Sequence, residues 1–136
     1  MRFGTIYPLR LARLLFRRVP AGGGRLVMVG STYGTHRPNV TMAAYSLGKA
    51  ALESTVRLLA LEMGRKGITV NGIAPGPVPA GMNKHQNERW YRMQSALVPL
   101  GRLCRPEDVS DVVQFLLSAG AEFVSGEVIE LAGGQA

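Results

Sequence analysis

The sequence has one cysteine, Cys104, and only two histidines, His36 and His85, in 136 residues. A single cysteine excludes an intrachain disulfide and a cysteine-based metal cluster, and two histidines alone speak against a zinc site. We therefore predict no metal. The lack of a disulfide framework also favours a reducing, cytoplasmic setting.

Long hydrophobic runs are missing too. No apolar stretch reaches the ~18 residues that a membrane-spanning helix needs. Residues 5–18 place Arg10, Arg13 and Arg17 at helical spacing, with Leu11, Leu14 and Leu15 on another face. These arginines interrupt any secretory apolar core, and no small-residue cleavage site follows. We predict a packed amphipathic helix that ends before Pro20, and no membrane partner.

Acidic residues are absent from residues 1–52, which carry eight Arg or Lys, whereas residues 53–136 carry eight basic and nine acidic residues. The net charge is +7. A basic surface can bind nucleic acid, a membrane surface or an anionic ligand. No helix-turn-helix, zinc-finger or aromatic RNA-binding signature accompanies the charge, so we predict no nucleic-acid partner and keep a basic surface binder as the weakest hypothesis.

The remaining chain alternates between short apolar runs and helical periodicity, with 46% hydrophobic and 18% charged residues. Strands are predicted at 25–30, 68–76 and 126–134. Helices are predicted at 41–67, with Thr41 as its cap and Gly67 as its stop, and at 105–120, with Pro106 in the first turn and Gly120 past its stop. Residues 77–102 form a Pro-rich excursion with short helices. The alternation predicts an α/β fold with a parallel sheet and right-handed crossovers.

Three polar side chains stand at the ends of these elements. Ser31 follows the first strand, and Tyr45 and Lys49 lie one helical turn apart early in the next helix, where they share a face. The carboxyl ends of parallel strands border a ligand crevice. A phenol has an ordinary pKa near 10, and a nearby ammonium lowers it, so the pair suits proton transfer. The alternative is an interfacial tyrosine beside a solvated lysine.

Five ordered segments carry a family resemblance: GGGRLVMVGS, YSLGKAAL, LALEMGRKGITVNGIAPGPV, PLGRLCRPEDVSDVVQFLLS and SGEVIELAGG. Together they resemble the C-terminal half of a short-chain dehydrogenase/reductase and are similar to its 3-oxoacyl-acyl-carrier-protein reductase branch. The resemblance implies an incomplete Rossmann-like, doubly wound parallel sheet. Residues 1–136 would form a partial NAD(P)-binding domain that lacks the N-terminal glycine-rich half.

The resemblance also implies an NAD- or NADP-dependent interconversion of alcohol and carbonyl on a small molecule. It assigns Tyr45 as acid/base, Ser31 as the residue that orients the substrate oxygen, and Lys49 as the residue that binds the nicotinamide ribose. Cofactor contacts carry over to Tyr45, Lys49, Pro75, Gly76 and Val78, and Asn71 matches a structural asparagine. The family's long helices imply a homo-oligomer or pairing with another chain of the family.

The sequence departs from the family pattern at several positions. It has no glycine-rich turn that could cradle a pyrophosphate, since residues 21–25 open a strand instead. No asparagine stands near Arg2 or Phe3, where the family has one, and Ala80 and Ala132 replace a usual Thr and Asp. The alternative hypothesis is therefore a catalytically inactive fragment or pseudoenzyme that acts through its oligomerisation helices.

Overall fold

A computed structural model describes residues 7–17 and 23–135. Within these ranges the elements follow one another as α1 (Tyr7–Phe16), β1 (Gly24–Val29), α2 (Ala43–Met63), β2 (Ile68–Pro75), α3 (Glu88–Ala96), α4 (Pro106–Leu117) and β3 (Val128–Leu131). Short 3₁₀ turns occupy residues 40–42, 64–66, 81–83 and 119–121. The outer ends of the first predicted helix, its stop at Pro20, and the region of Arg2 and Phe3 lie outside the described residues.

The three strands form one parallel sheet in the order β1-β2-β3. Gly24 pairs with Ile68 and Val29 with Ile73, while Pro75 pairs with Leu131. The central strand β2 is buried at every residue except the second, because it has a neighbour on both sides and helices over both faces. The predicted parallel α/β arrangement is confirmed.

Helices cover the two faces of the sheet and bury two separate apolar clusters. On one face, Val56, Leu59 and Met63 of α2 pack with Val70 of β2. On the other face, Leu116 of α4 packs with Ile73. Alternate residues of a strand point to opposite faces, so β2 supplies side chains to both clusters. Each fully buried Val, Leu or Ile stabilises the fold by roughly 1.5–3 kcal/mol, so β2 anchors the whole domain.

The boundaries of α2 partly correct the prediction. Thr41 is not the cap: the side chain of Asn39 accepts a hydrogen bond from the backbone N–H of Thr41 at 2.9 Å and opens the 3₁₀ turn before α2. Asparagine is a favoured residue at the start of a helix because its short side chain can accept a hydrogen bond from the unpaired backbone N–H groups of the first turn. Gly67 ends the helical region with φ 69°, as predicted.

Helix α4 ends earlier than predicted, at Leu117. Ser118 takes an extended conformation, and its hydroxyl accepts the backbone N–H of Gly120 at 3.2 Å, which starts a separate 3₁₀ turn. The start is as expected, since Pro106 occupies the first turn and the Asp108 carboxylate accepts the Arg105 N–H at 2.7 Å. The polar serine therefore breaks the helix where only a glycine stop was expected.

Helix α1 is confirmed, and it packs through Ala12 and Phe16. Arg13 binds the Glu62 carboxylate of α2 through two nitrogens, at 2.9 and 2.7 Å. The leucines of its apolar face are exposed: Leu11, Leu14 and Leu15. No helix in the described ranges combines the length and the apolarity needed to cross a bilayer.

Candidate active site at the carboxyl end of the sheet

Ser31 lies in a tight turn that continues from β1. The backbone N–H groups of Gly30 and Thr32 donate to Ile73 and Pro75 of β2, at 2.7 and 3.0 Å, so the chain stays paired with β2 past the end of the strand. Ser31 is buried, and its hydroxyl oxygen accepts the backbone N–H of Tyr33 at 3.2 Å. That bond occupies the oxygen as an acceptor and leaves the hydroxyl hydrogen available to a ligand.

Glu53 of α2 holds the far side of this turn. Its side chain is fully buried, and it accepts hydrogen bonds from the backbone N–H and the hydroxyl of Thr35. A Cβ on Gly34 would clash with the Glu53 carboxylate, so a larger residue there requires that side chain to move. Sequence reasoning missed Glu53, although its spacing of eight residues from Tyr45 and four from Lys49 places all three on one helix face.

Tyr45 and Lys49 share that face of α2, as predicted. The Lys49 Nζ lies 5.6 Å from the centre of the Tyr45 ring and donates to the backbone carbonyl of Val29 at 2.9 Å. In a parallel strand the backbone groups of consecutive residues point to opposite sides. Gly30 bonds to β2, so the backbone of Val29 points to the outer edge of β1, where the described sheet has no strand. Partial burial lowers the pKa of Lys49.

The end of β2 forms the opposite wall. The backbone N–H of Gly76 donates to Leu131 of β3 at 3.0 Å, which holds the turn after Pro75 against the sheet. Ser31 and Tyr45 line a cavity of about 310 Å³ together with Pro75, Gly76 and Val78. The structure thus brings together every residue predicted for the site except Lys49, which lies beside Tyr45 but outside the wall.

Asn71 has the structural role that its position suggested. It is buried in β2, its amide nitrogen donates to the Val124 carbonyl at 2.8 Å, and its oxygen accepts the Glu127 N–H at 3.2 Å. These bonds satisfy a buried amide and fix the turn that leads into β3. Asn71 therefore supports the sheet below the cavity and takes no direct part in it.

A second cavity, of about 390 Å³, lies on the other side of the Gly76–Pro77 turn. Arg102 and Asp108 in its wall form an ion pair, and the Arg102 hydrogen bond holds the pKa of Asp108 at about 2. Burial raises the pKa of the Cys104 thiol, which argues against a reactive thiolate there. Among residues 7–17 and 23–135, no group of three or more His, Cys, Asp or Glu side chains is placed to hold a metal ion.

Arg37 contacts two residues in the wall of the second cavity. It follows the Ser31 turn and reaches over the end of β2 to the Glu130 carboxylate and the Gln135 carbonyl, which line the second cavity. His36 also lies 3.5 Å from Glu130. Arg37 thus serves an internal ion pair, which accounts for one of the basic charges noted in residues 1–52.

A family model described as enoyl-(acyl carrier protein) reductase matches residues 4–136. The chain belongs to the short-chain dehydrogenase/reductase family. The reductase LugOII, described as promiscuous and as catalysing keto-reduction at C1 during lugdunomycin biosynthesis, has a similar structure. Its TM-score is 0.88 at 28% identity, over 97% of this chain and 51% of LugOII.

Two curated members of the family show the same partial overlap. The 3-oxoacyl-(acyl-carrier-protein) reductase of Pseudomonas aeruginosa is 36% identical over 126 residues, which cover 92% of this chain and 51% of the relative. The 7alpha-hydroxysteroid dehydrogenase of Escherichia coli K12 is 30% identical over 91% of this chain and 49% of its own length. The chain spans about half the length of the curated relatives it matches.

Proposed function

We propose that this chain carries the proton-transfer site of an NAD(P)-dependent oxidoreductase that interconverts an alcohol and a carbonyl. The observation that carries the proposal is the convergence of Ser31 and Tyr45 in one cavity whose other wall is formed by Pro75, Gly76 and Val78. These residues come from three separate stretches of sequence, so composition alone does not explain their meeting. The described fold would be the C-terminal part of an NAD(P)-binding domain.

The roles follow from hydrogen-bonding capacity. Ser31 would donate its free hydroxyl hydrogen to the substrate oxygen and hold it beside the phenol. Tyr45, whose hydroxyl makes no hydrogen bond within the described part of the chain, would donate a proton to that oxygen in reduction and accept it in oxidation. The Lys49 ammonium lies next to the Tyr45 ring and would stabilise the negative charge left on the phenol.

The residues at the end of β2 fit a nicotinamide ring. Pro75 and Gly76 form a turn that is held by β3, and the backbone N–H of Val78 has no acceptor among the described residues, so it can donate to a carboxamide oxygen. NAD or NADP, when bound, supplies or accepts the hydride. Lys49 has three donors, so it can bind a ribose hydroxyl while keeping its bond to Val29.

A titration of the purified chain with NADH and NADPH, followed by nicotinamide fluorescence, tests the cofactor site. We expect saturable binding that Lys49→Ala weakens about tenfold or more, because the ribose loses a charged donor. Arg92→Ala is the matched control, since this exposed residue of α3 does not line the cavity. A folded sample that binds neither cofactor would favour the non-catalytic alternative.

Turnover of a ketone tests the role of the phenol. Tyr45→Phe keeps the ring and removes only the acidic hydroxyl, so we expect it to lower any rate that the wild-type chain supports without a pyrophosphate cradle by roughly 10²–10⁴-fold, the usual contribution of a general acid. Retention of the wild-type rate by this variant would refute the assignment of Tyr45.

A second copy of the chain is the partner that the surface supports. The described residues leave several leucines of α1 and α2 exposed: Leu11, Leu14, Leu15, Leu58 and Leu61. Exposed apolar side chains on two adjoining helices are typical of an interaction surface. We expect sedimentation velocity to show a dimer that Leu61→Arg dissociates, and a wild-type monomer at all concentrations would contradict this.

A further inference from the structure

The cavity that holds Ser31 and Tyr45 has no charged side chain in the wall that the described residues form. The neighbouring cavity differs sharply, because Arg102, Asp108 and Glu130 line it. The absence of charge is therefore a property of this cavity and does not follow from its position at the end of the sheet. The net charge of +7 makes the lack of a cation in the wall more notable.

The segment after β2 contains charges but keeps them out of the cavity. In α3, Glu88 and Arg92 are both largely exposed and lie 3.7 Å apart in solvent. The same helix and the 3₁₀ turn before it place Trp90 and Met82 in the cavity wall. The segment is thus amphipathic with respect to the cavity and presents its apolar side to a ligand.

Hydrogen bonds within this segment hold the apolar wall in place. The Tyr91 hydroxyl donates to the backbone carbonyl of Asn83 at 2.6 Å, and the Asn83 amide donates to the carbonyl of Val78 at 3.1 Å. These polar groups therefore have hydrogen-bond partners within the segment itself. A wall that is already ordered loses less conformational freedom when a ligand binds.

We propose that the cavity accepts a neutral, largely apolar ketone or secondary alcohol and rejects one with a carboxylate or phosphate beside the reacting carbon. The inference rests on the proposed function, because the reacting oxygen lies between Ser31 and Tyr45. The apolar body would contact Met42, Met82 and Trp90, and flexible methionine side chains adapt to different shapes. An anionic group would lose its hydration without gaining an ionic partner.

Lys49 does not supply that partner. Its ammonium is bonded to the Val29 carbonyl and lies outside the cavity wall, next to the Tyr45 ring. Long-range attraction by the net positive charge is screened over about 10 Å at ordinary ionic strength, so it does not replace a direct contact. The uncharged wall of the cavity therefore sets the preference for a neutral over an anionic ligand.

The chain's only tryptophan, Trp90, lies in this wall and reports ligand binding by its fluorescence. The probes are methyl benzoylformate and benzoylformate, which share a skeleton and differ by the charge beside the ketone. We expect the ester to quench Trp90 saturably, with a Kd at least tenfold lower than that of the acid. Equal or tighter binding of the acid, or no binding of either by folded protein, would overturn the proposal.

A variant pair tests the same idea in reverse. Met82→Lys places a cation in the wall at an exposed position that folding tolerates, so we expect benzoylformate to bind at least tenfold more tightly than to the wild type. Met93→Lys adds the same charge outside the wall and should leave the preference unchanged. An identical response of the two variants would show that net charge, and not the wall, sets the preference.

Turnover separates this inference from the proposed function. NADPH oxidation with the ester is recorded in the samples used for the fluorescence titration. Saturable, selective ester binding without turnover would count against the oxidoreductase proposal and still support the preference of the cavity for a neutral ligand. Turnover of both probes with equal kcat/KM would support the reaction and overturn the preference.

Discussion

Two cavities of similar size, about 310 and 390 Å³, lie side by side at the carboxyl end of the sheet and share the Gly76–Pro77 turn. The larger cavity is bordered by Arg102 and Asp108, which form an ion pair with each other. The smaller contains hydroxyl groups with unused hydrogen-bonding capacity. Under the proposed function the chemistry lies in the smaller cavity, which is distinguished by hydroxyl groups with unused donors and not by its volume.

The largest effect is expected at Glu53, which fixes the Ser31 turn beside the smaller cavity. Glu53→Ala removes a buried acceptor of two hydrogen bonds from Thr35, so the free energy of unfolding should fall by about 2 kcal/mol. Urea titration followed by circular dichroism measures this loss. Hydrogen exchange should increase at residues 33–35 and stay unchanged around the larger cavity.

Glu53→Gln is the matched variant, because it keeps the side-chain shape and one acceptor oxygen. It should retain most of the stability that Glu53→Ala loses. If the two variants were equally destabilised, or if exchange increased equally at both cavities, the turn would not depend on this carboxylate alone and the contrast between the cavities would weaken.

A smaller effect is expected at Arg37, which binds Glu130 and Gln135 in the wall of the larger cavity. Arg37→Met keeps the length of the side chain and removes the ion pair, which is only partly exposed, so we expect a loss of about 1 kcal/mol. Denaturant titration gives the value. Arg92→Met, in an exposed pair with Glu88, should change stability by less than about 0.5 kcal/mol.

The smallest effect is a pH dependence at the larger cavity. The pKa of Asp108 is about 2 in the fold, below its ordinary 3.8, because Arg102 and the Arg105 N–H stabilise the carboxylate. The unfolded chain therefore takes up the proton at higher pH. Asp108 stabilises the fold above pH ~4, and this contribution is lost as the pH falls towards 2.

Thermal unfolding at a series of pH values measures this contribution. Asp108→Asn should flatten the fall in Tm between pH 4 and pH 2. An unchanged slope in Asp108→Asn would mean that the Arg102 pair does not survive in solution.

Much of the fold could be predicted from local patterns. The apolar run of β2 and the helical spacing of α2 and α4 are properties of neighbouring residues, so their order implied the parallel sheet. Helix ends were less predictable, because Asn39 and Thr41 are both good caps and Ser118 competes with Gly120 as a stop. Small differences in local hydrogen bonding decide such positions.

The spacing and order of residues along the chain were enough to predict the alternation of strands and helices, the family, and the placement of Tyr45 and Lys49 on one helix face. Three further features depend on tertiary packing: Lys49 bonds to Val29, Glu53 holds the turn after Ser31, and the charges of α3 lie outside the cavity wall. These contacts join residues that are distant in sequence. Their partners are chosen by packing and by the need to satisfy buried polar groups, which no local pattern encodes.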